Sequence, residues 1–241
     1  MVGLGTIINV AGIVCGGLLG LAFGKQLPER FQTILIQAAS VCVLFQGIGG
    51  CMEKMLQLSE DRLVSSGSIM MILCFVLGSI AGEWINIDRR LEQFGVWLRE
   101  RTGSSGDTAF VDGFVTASLT VCIGAMAVVG AVQDGIYGNY SILAAKAVLD
   151  FIIILVMSAS MGKGCIFSAI PVGLFQGLIT ILAIFVEPFL TESALINLSL
   201  TGSIMIFCIG VNLIWNIKIR VANMLPTLFF AVLWDFIPIL A

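Results

Sequence analysis

Histidine is absent from the 241 residues, which removes HExxH zinc proteases, Ser-His and Cys-His nucleophilic catalysis and histidine proton relays together. Charge is scarce as well: Asp, Glu, Lys and Arg make up 11% of the chain, against about 25% in a soluble domain. Neither end carries a basic tail, and a net charge of −3 held mostly in loops argues against nucleic acid as a partner. No Walker A sequence and no GxSG elbow occur, so neither ATP-driven transport by this chain alone nor a serine hydrolase is expected. An intramembrane enzyme would have only an aspartate pair, Asp134 with Asp150, to act with; the chain is read as not an enzyme. The N-terminus lacks a basic n-region and an A-x-A cleavage site, so the first apolar segment is expected to stay in the mature protein.

The seven cysteines, Cys15, Cys42, Cys51, Cys74, Cys122, Cys165 and Cys208, lie in or beside apolar runs without CxxC spacing. They read as small packing residues rather than a disulfide framework or metal site. No cofactor and no metal are expected. What the chain has in abundance is apolar sequence: 59% hydrophobic residues and a mean hydropathy of +1.07. Water is missing from the bilayer core, so each run of about 20 apolar residues satisfies its backbone as a spanning helix. The fold class is an all-α integral membrane protein.

Eight spans are expected: Gly3 to Phe23, Phe31 to Cys51, Ser68 to Ile85, Phe110 to Gln133, Ile142 to Ser160, Cys165 to Val186, Ala194 to Ile214, and a short one from Asn223 to Leu240 that Pro226 and Pro238 interrupt. Between the third and fourth, "NIDRRLEQFGVWLRER" places Ile87, Leu91, Phe94 and Leu98 on one helical face opposite the arginines. That helix is expected on the membrane surface. Nine Lys and Arg residues (Lys25, Arg30, Arg89, Arg90, Arg99, Arg101, Lys163, Lys218, Arg220) fall on one side of this topology, and only Lys54 and Arg62 on the other. The positive-inside rule makes the nine-charge side cytoplasmic and puts both termini on the outer side.

"LPERFQTILIQAASVCVLFQGIGG" from Leu27 aligns without gaps on "LTESALINLSLTGSIMIFCIGVNL" from Leu190 at an offset of 163, pairing Glu29 with Glu192, Ser40 with Ser203 and Gly47 with Gly210. The preceding helices match loosely, Gly12 and Gly16 finding echoes in Gly173 and Gly177. The third helices end in Glu83-Trp84 and Trp234-Asp235. Three spans therefore recur around two central ones, in opposite senses through the bilayer, a common plan of secondary transporters. The chain divides into a first repeat (1–85), a cytoplasmic interfacial helix and loop (86–109), a central helix pair (110–160) and a second, inverted repeat (161–241), all in one transmembrane domain.

Gly12, Gly16, Gly20 and Gly24 recur every four residues in the first span. Such a ridge lets a second backbone come close, which in lipid replaces the missing hydrophobic drive between helices. It serves either static packing, with Gly173 and Gly177 as counterparts, or a smooth surface on which one bundle rocks.

Ionisable residues inside spans cost about 2.5 to 3.5 kcal/mol on insertion scales and are functional candidates by default. "QDGIYGNYSILAAKAVLD" concentrates them: Lys146 and Asp150 lie one turn apart on one helix face. At about 1.5 Å per residue from Ser141, Asp150 sits roughly 14 Å deep, near the midplane. Asp134, at the end of the preceding span, is within reach of Lys146. An aspartate neutralised alternately by lysine and by an incoming cation or proton couples ion binding to conformational change; the bland alternative is a fixed structural pair. Gly124, Gly130 and Gly135 mark either an unwound helix with free backbone groups for an ion, or close packing. Asn9, Gln37, Gln46, Gln176, Asn197, Asn212 and Asn216 are polar residues in spans, most of them expected as interhelical hydrogen bonds worth about 0.6 kcal/mol each. Asn9, Gln176 and Asn212, with Asp235, are secondary polar candidates.

From "GTIINVAGIVCGGLLG" at Gly5 through "GEWINIDRRLEQFG" at Gly82 and "GFVTASLTVCIGAMAVVGAVQDGIYGNYSILAAKAVLD" at Gly113 to "GVNLIWNIKIRVANMLP" at Gly210, nearly the whole chain resembles the YqgA/YdfK-like family of uncharacterised bacterial membrane proteins, a domain-of-unknown-function family. The matching positions are Cys122, Gly124, Met126, Gly130, Asp134, Gly135, Lys146 and Asp150, with Arg220, Asn223 and Pro226. One departure is Ala125, where that family often has proline. The resemblance implies a bacterial cytoplasmic-membrane protein of the transporter kind and names no substrate. Two readings follow. The first is a secondary transporter of a small solute or ion, proton- or sodium-coupled, with the lipid bilayer and that solute as partners. The second is a non-transporting scaffold whose charges lock helices and whose glycine ridge holds a homo-oligomer.

Overall fold

The computed structural model describes residues 2–24, 28–59, 62–104, 107, 109–123, 125–215 and 217–236. Lys25, Leu27, Asn216 and Pro238, on which the charge count, the repeat and the spans drew, lie outside the described residues, and so does Gly124. The protein is an all-α membrane protein: α1 (Leu4–Gly24), α2 (Glu29–Met55), α3 (Ser68–Ile85), α4 (Ile87–Arg101), α5 (Phe110–Cys122), α6 (Ala125–Tyr137), α7 (Ser141–Met161), α8 (Ala169–Ile181), α9 (Ala183–Val186), α10 (Glu192–Trp215) and α11 (Pro226–Leu233), with short 3₁₀ turns between several of them. One small exception to the all-helical expectation is an antiparallel hairpin of β1 (Leu56–Ser59) and β2 (Arg62–Ser65) in the loop after α2.

Six helices among the described residues are long and apolar enough to cross a membrane: α1, α2, α3, α7, α10, and α8 together with the 3₁₀ turn that leads into it. The fourth expected span is broken: α5 and the helix from Met126 to Tyr137 meet at 62°, and make a seventh crossing if taken as one. The eighth expected span is the shorter apolar helix Val221–Phe236, which Pro226 starts afresh as the first residue of α11.

The chain forms two compact units, Met1–Ser40 with Arg89–Val186, and Val41–Asp88 with Glu187–Ala241. In the first unit α1 lies along α7, and the glycine ridge explains how. A Cβ at Gly12 would sit 3.0 Å from the Ala147 carbonyl oxygen and one at Gly24 2.6 Å from that of Ala159, while at Gly16 and Gly20 it would run into the carbonyls of Phe151 and Leu155. Four glycines one turn apart thus meet four carbonyls one turn apart, a contact that only bare backbone permits. The ridge is used inside the chain, which removes it from the homo-oligomer seam expected in the scaffold reading. Ile13 continues the seam into an apolar core with Ala117, Val121, Ile154, Met157, Cys165 and Val172.

Helix α4 turns its apolar face inward: Leu98 packs with Phe110 and Phe114 of α5, flanked by Leu91 and Phe94. The face expected on the membrane surface is therefore partly covered by α5. In the second unit, α3 ends at Asn86, whose φ of 55° and N–H bonds to Gly82 and Glu83 make a left-handed helix stop. Gly78 and Gly82 of α3 admit the backbone of Thr227 and Asn223. Helices α2 and α10 meet at Gly47, Gly50 and Gly210: a Cβ at Gly47 would lie 2.5 Å from the Phe207 nitrogen, one at Gly50 would run into the Ser203 hydroxyl, and one at Gly210 would lie 2.9 Å from the Leu44 nitrogen. Outward faces of α3 carry Ile72, Val76, Leu77 and Ile80 exposed, as lipid-facing residues are.

Candidate functional site

Lys146 and Asp150 share one face of α7 because four residues make one turn, and burial leaves them 6% and 3% exposed. The Lys146 Nζ donates to Asp150 Oδ1 at 2.7 Å and Oδ2 at 2.6 Å, and to the Val121 carbonyl at 2.7 Å. That carbonyl is available because α5 stops at Cys122, so the last-turn oxygens have no helical partner. The ammonium has three protons and three acceptors around it.

The break itself is local. Ile123 leaves the helix in an extended conformation, φ −79° and ψ 125°, after its N–H closes on Leu119. Gly130 and Gly135 lie in close contacts: a Cβ at Gly130 would press on Leu143 of α7 at 2.8 Å, and one at Gly135 would meet the Thr180 carbonyl of α8 at 2.5 Å. Close approach at these two points holds α6 against α7 and α8.

Asp134 does not join the Lys146 pair, contrary to the expectation from sequence. Its Oδ2 accepts the Gly5 N–H at 2.9 Å, which caps the first turn of α1. A carboxylate is drawn there because the free amides at a helix start carry the positive end of the dipole. The residue is fully buried, and its Oδ1 has no partner among the described residues. Asn9 donates to Gln176 Oε1 at 3.3 Å across α1 and α8, both side chains being fully buried. Gly173 of α8 faces Val10 of α1, whereas a Cβ at Gly177 would meet nothing within 4 Å among the described residues, which give Gly177 no packing contact.

The other secondary candidates hold backbone in the second unit. Asn212 clasps Ile219, donating to its carbonyl at 2.8 Å and accepting from its N–H at 2.9 Å. Asp235 accepts from the Thr191 hydroxyl, which in turn takes the Ala194 N–H at the start of α10. A clasp that the residue patterns did not suggest joins Glu83 to Arg220 and Asn223, both at 2.7 Å, and Asn223 also accepts the Asp88 N–H at 2.7 Å as α4 begins. Thr6 and Thr180 are buried threonines on α1 and α8 whose hydroxyls lack partners among the described residues; a threonine in an apolar run carries no sequence mark that separates such a site from packing. Among the described residues no three of His, Cys, Asp and Glu come together as a metal site, and the cysteines are free.

Residues 4–236 match the family described as Protein of unknown function (DUF554). The chain is 25% identical over 224 residues to the uncharacterized membrane protein YdfK of Bacillus subtilis (strain 168), covering 93% of this chain and 92% of that one. It is also 25% identical over 232 residues to the uncharacterized protein YqgA of Escherichia coli (strain K12), covering 95% of this chain and 94% of that one. No solved structure matches the chain.

Proposed function

The chain belongs to the DUF554 family, and from that premise we propose that it is a secondary transporter of a small solute or ion across the bacterial cytoplasmic membrane, proton- or sodium-coupled and not an enzyme. The observation that carries this reading is the buried Lys146–Asp150 pair closing on a free carbonyl of a broken helix. Charges inside a bilayer protein are costly, and helix breaks at membrane depth are tolerated where they are buried in protein or line a path. Here both coincide at one point. A cation arriving at Asp150 releases Lys146, and the released ammonium lets go of Val121, so ion binding changes how α5 joins α6.

Support for inverted repeats of 1–85 and 161–241 comes from the α2–α10 crossing. At the offset of 163 residues, Leu44 pairs with Phe207 and Gly47 with Gly210; Gly47 meets Phe207 while Gly210 meets Leu44. Reciprocal contacts of this kind are what a two-fold relation generates.

One observation favours the scaffold reading instead: the Lys146 ammonium is saturated by its three acceptors, as in a purely structural lock. Flux in proteoliposomes separates the two. A panel of solutes is screened for solute-dependent proton or sodium movement, with Asp150→Asn alongside. The transport reading expects flux lost in a folded variant, because the amide keeps the shape but cannot alternate between charged and neutral. Absence of flux for every solute in wild-type protein, or full flux in Asp150→Asn, refutes it.

A further inference from the structure

We propose that Asp134, with the hydroxyls of Thr6 and Thr180, forms a sodium site separate from the Lys146–Asp150 pair, where α1, α6 and α8 come together; its purpose, sodium bound in addition to the cation that arrives at Asp150, rests on the transport reading. Asp134 is fully buried, and among the described residues no cationic side chain pairs with it. One oxygen is held by the Gly5 N–H; the other is buried and has no partner among the described residues. A carboxylate in a low-dielectric interior is expensive without a compensating charge.

The neighbours supply oxygen. Thr6 follows the residue that holds Asp134, and Thr180 presents its backbone to Gly135, the residue after Asp134. Both threonines are buried with hydroxyl oxygens that have no partner among the described residues. Three oxygens without partners among the described residues thus belong to three helices that meet at one buried carboxylate, and carboxylate and hydroxyl oxygens are the hard donors that such cations take. A monovalent ion brings the charge there to zero, whereas a divalent one would leave an excess positive charge in the interior. Helix polarity acts both ways: the positive end of the α1 dipole at Gly5 already faces the carboxylate, while the negative end of α8, which stops at Ile181, lies beside Thr180 and favours a cation on that side. Sodium here would tie the start of α1 to the end of α8, the first helices of the two proposed repeats.

Binding is measured without flux. Thermal unfolding of purified protein in nanodiscs is followed in NaCl, KCl and choline chloride at constant ionic strength. Sodium is expected to raise the melting temperature with the logarithm of its concentration, as linkage requires, and choline is not. Asp134→Asn should abolish the sodium effect, while Glu53→Gln, an exposed carboxylate of the other unit, should keep it. Should Asp134→Asn fail to fold, Thr180→Val keeps the shape, removes one donor, and is expected to weaken sodium binding at least tenfold. Equal melting in sodium and choline, or a full sodium effect in both Asp134→Asn and Thr180→Val, overturns the site. Sodium binding lost with Asp134 but no flux in liposomes would leave the site standing and sink the transport reading; flux from a protein that melts equally in sodium and choline would do the reverse.

Discussion

Replacing Lys146 and Asp150 one at a time and together separates a buried ion pair from two independent polar residues. Lys146→Met leaves the Asp150 carboxylate without its cation and strips Val121 of its donor; Asp150→Asn leaves an ammonium held by a carbonyl and an amide oxygen. Each single change strands a buried charge and should cost about 3 to 5 kcal/mol. The double change removes both charges. What remains is the Val121 carbonyl without its partner, a loss of about 1 to 3 kcal/mol. The double variant should therefore be more stable than either single one, with a coupling energy of several kcal/mol by the cycle. Stability is read by chemical or thermal unfolding of the four proteins in detergent, and flux in liposomes. Single variants that lose less than about 1 kcal/mol, or a double variant that loses the sum of both, would show that the pair is not held as a desolvated unit. Flux restored by the double variant would show that the charges act only as a lock.

The glycine ridge makes a second test. Gly20→Ala drives a methyl into the Leu155 carbonyl and should cost about 1 to 3 kcal/mol, whereas Gly177→Ala, with open space around it, should be neutral or gain up to about 1 kcal/mol from helix propensity; comparable losses at both would refute the packing argument. Gly47→Ala and Gly210→Ala, reciprocal across the α2–α10 crossing, should each destabilise by about 1 to 3 kcal/mol, and a neutral result at one alone would remove the support for a two-fold relation. Topology is checked by cysteine labelling on a cysteine-free background: Ser59→Cys should react with an impermeant reagent outside intact cells and Ser104→Cys should be spared, and labelling at Ser104 would overturn the orientation drawn from the nine-to-two charge split. Asn212→Ala should lower stability by about 1 to 3 kcal/mol through the two orphaned backbone groups of Ile219, with a change under half of that counting against the clasp.

Sequence alone determined whatever depends on one helix. Apolar runs of membrane length are helices whatever surrounds them, because the backbone has no other partner in lipid. Lys146 and Asp150 pair because four residues bring side chains onto one face, and the residues of the ridge line up for the same reason. Tertiary structure decided what depends on a second helix. Asp134 was close enough in sequence to suggest Lys146, yet it serves Gly5, 129 residues away, because packing of α1 brings free amides to it. Four glycines announce a close contact without naming the helix, and only the fold places the carbonyls of α7 against them. Val121 had no mark in the sequence at all; its carbonyl became a ligand when α5 stopped one residue later. Helix-internal spacing is set by backbone geometry, which every sequence shares, while the choice among apolar partner helices is a matter of shape that no periodicity records.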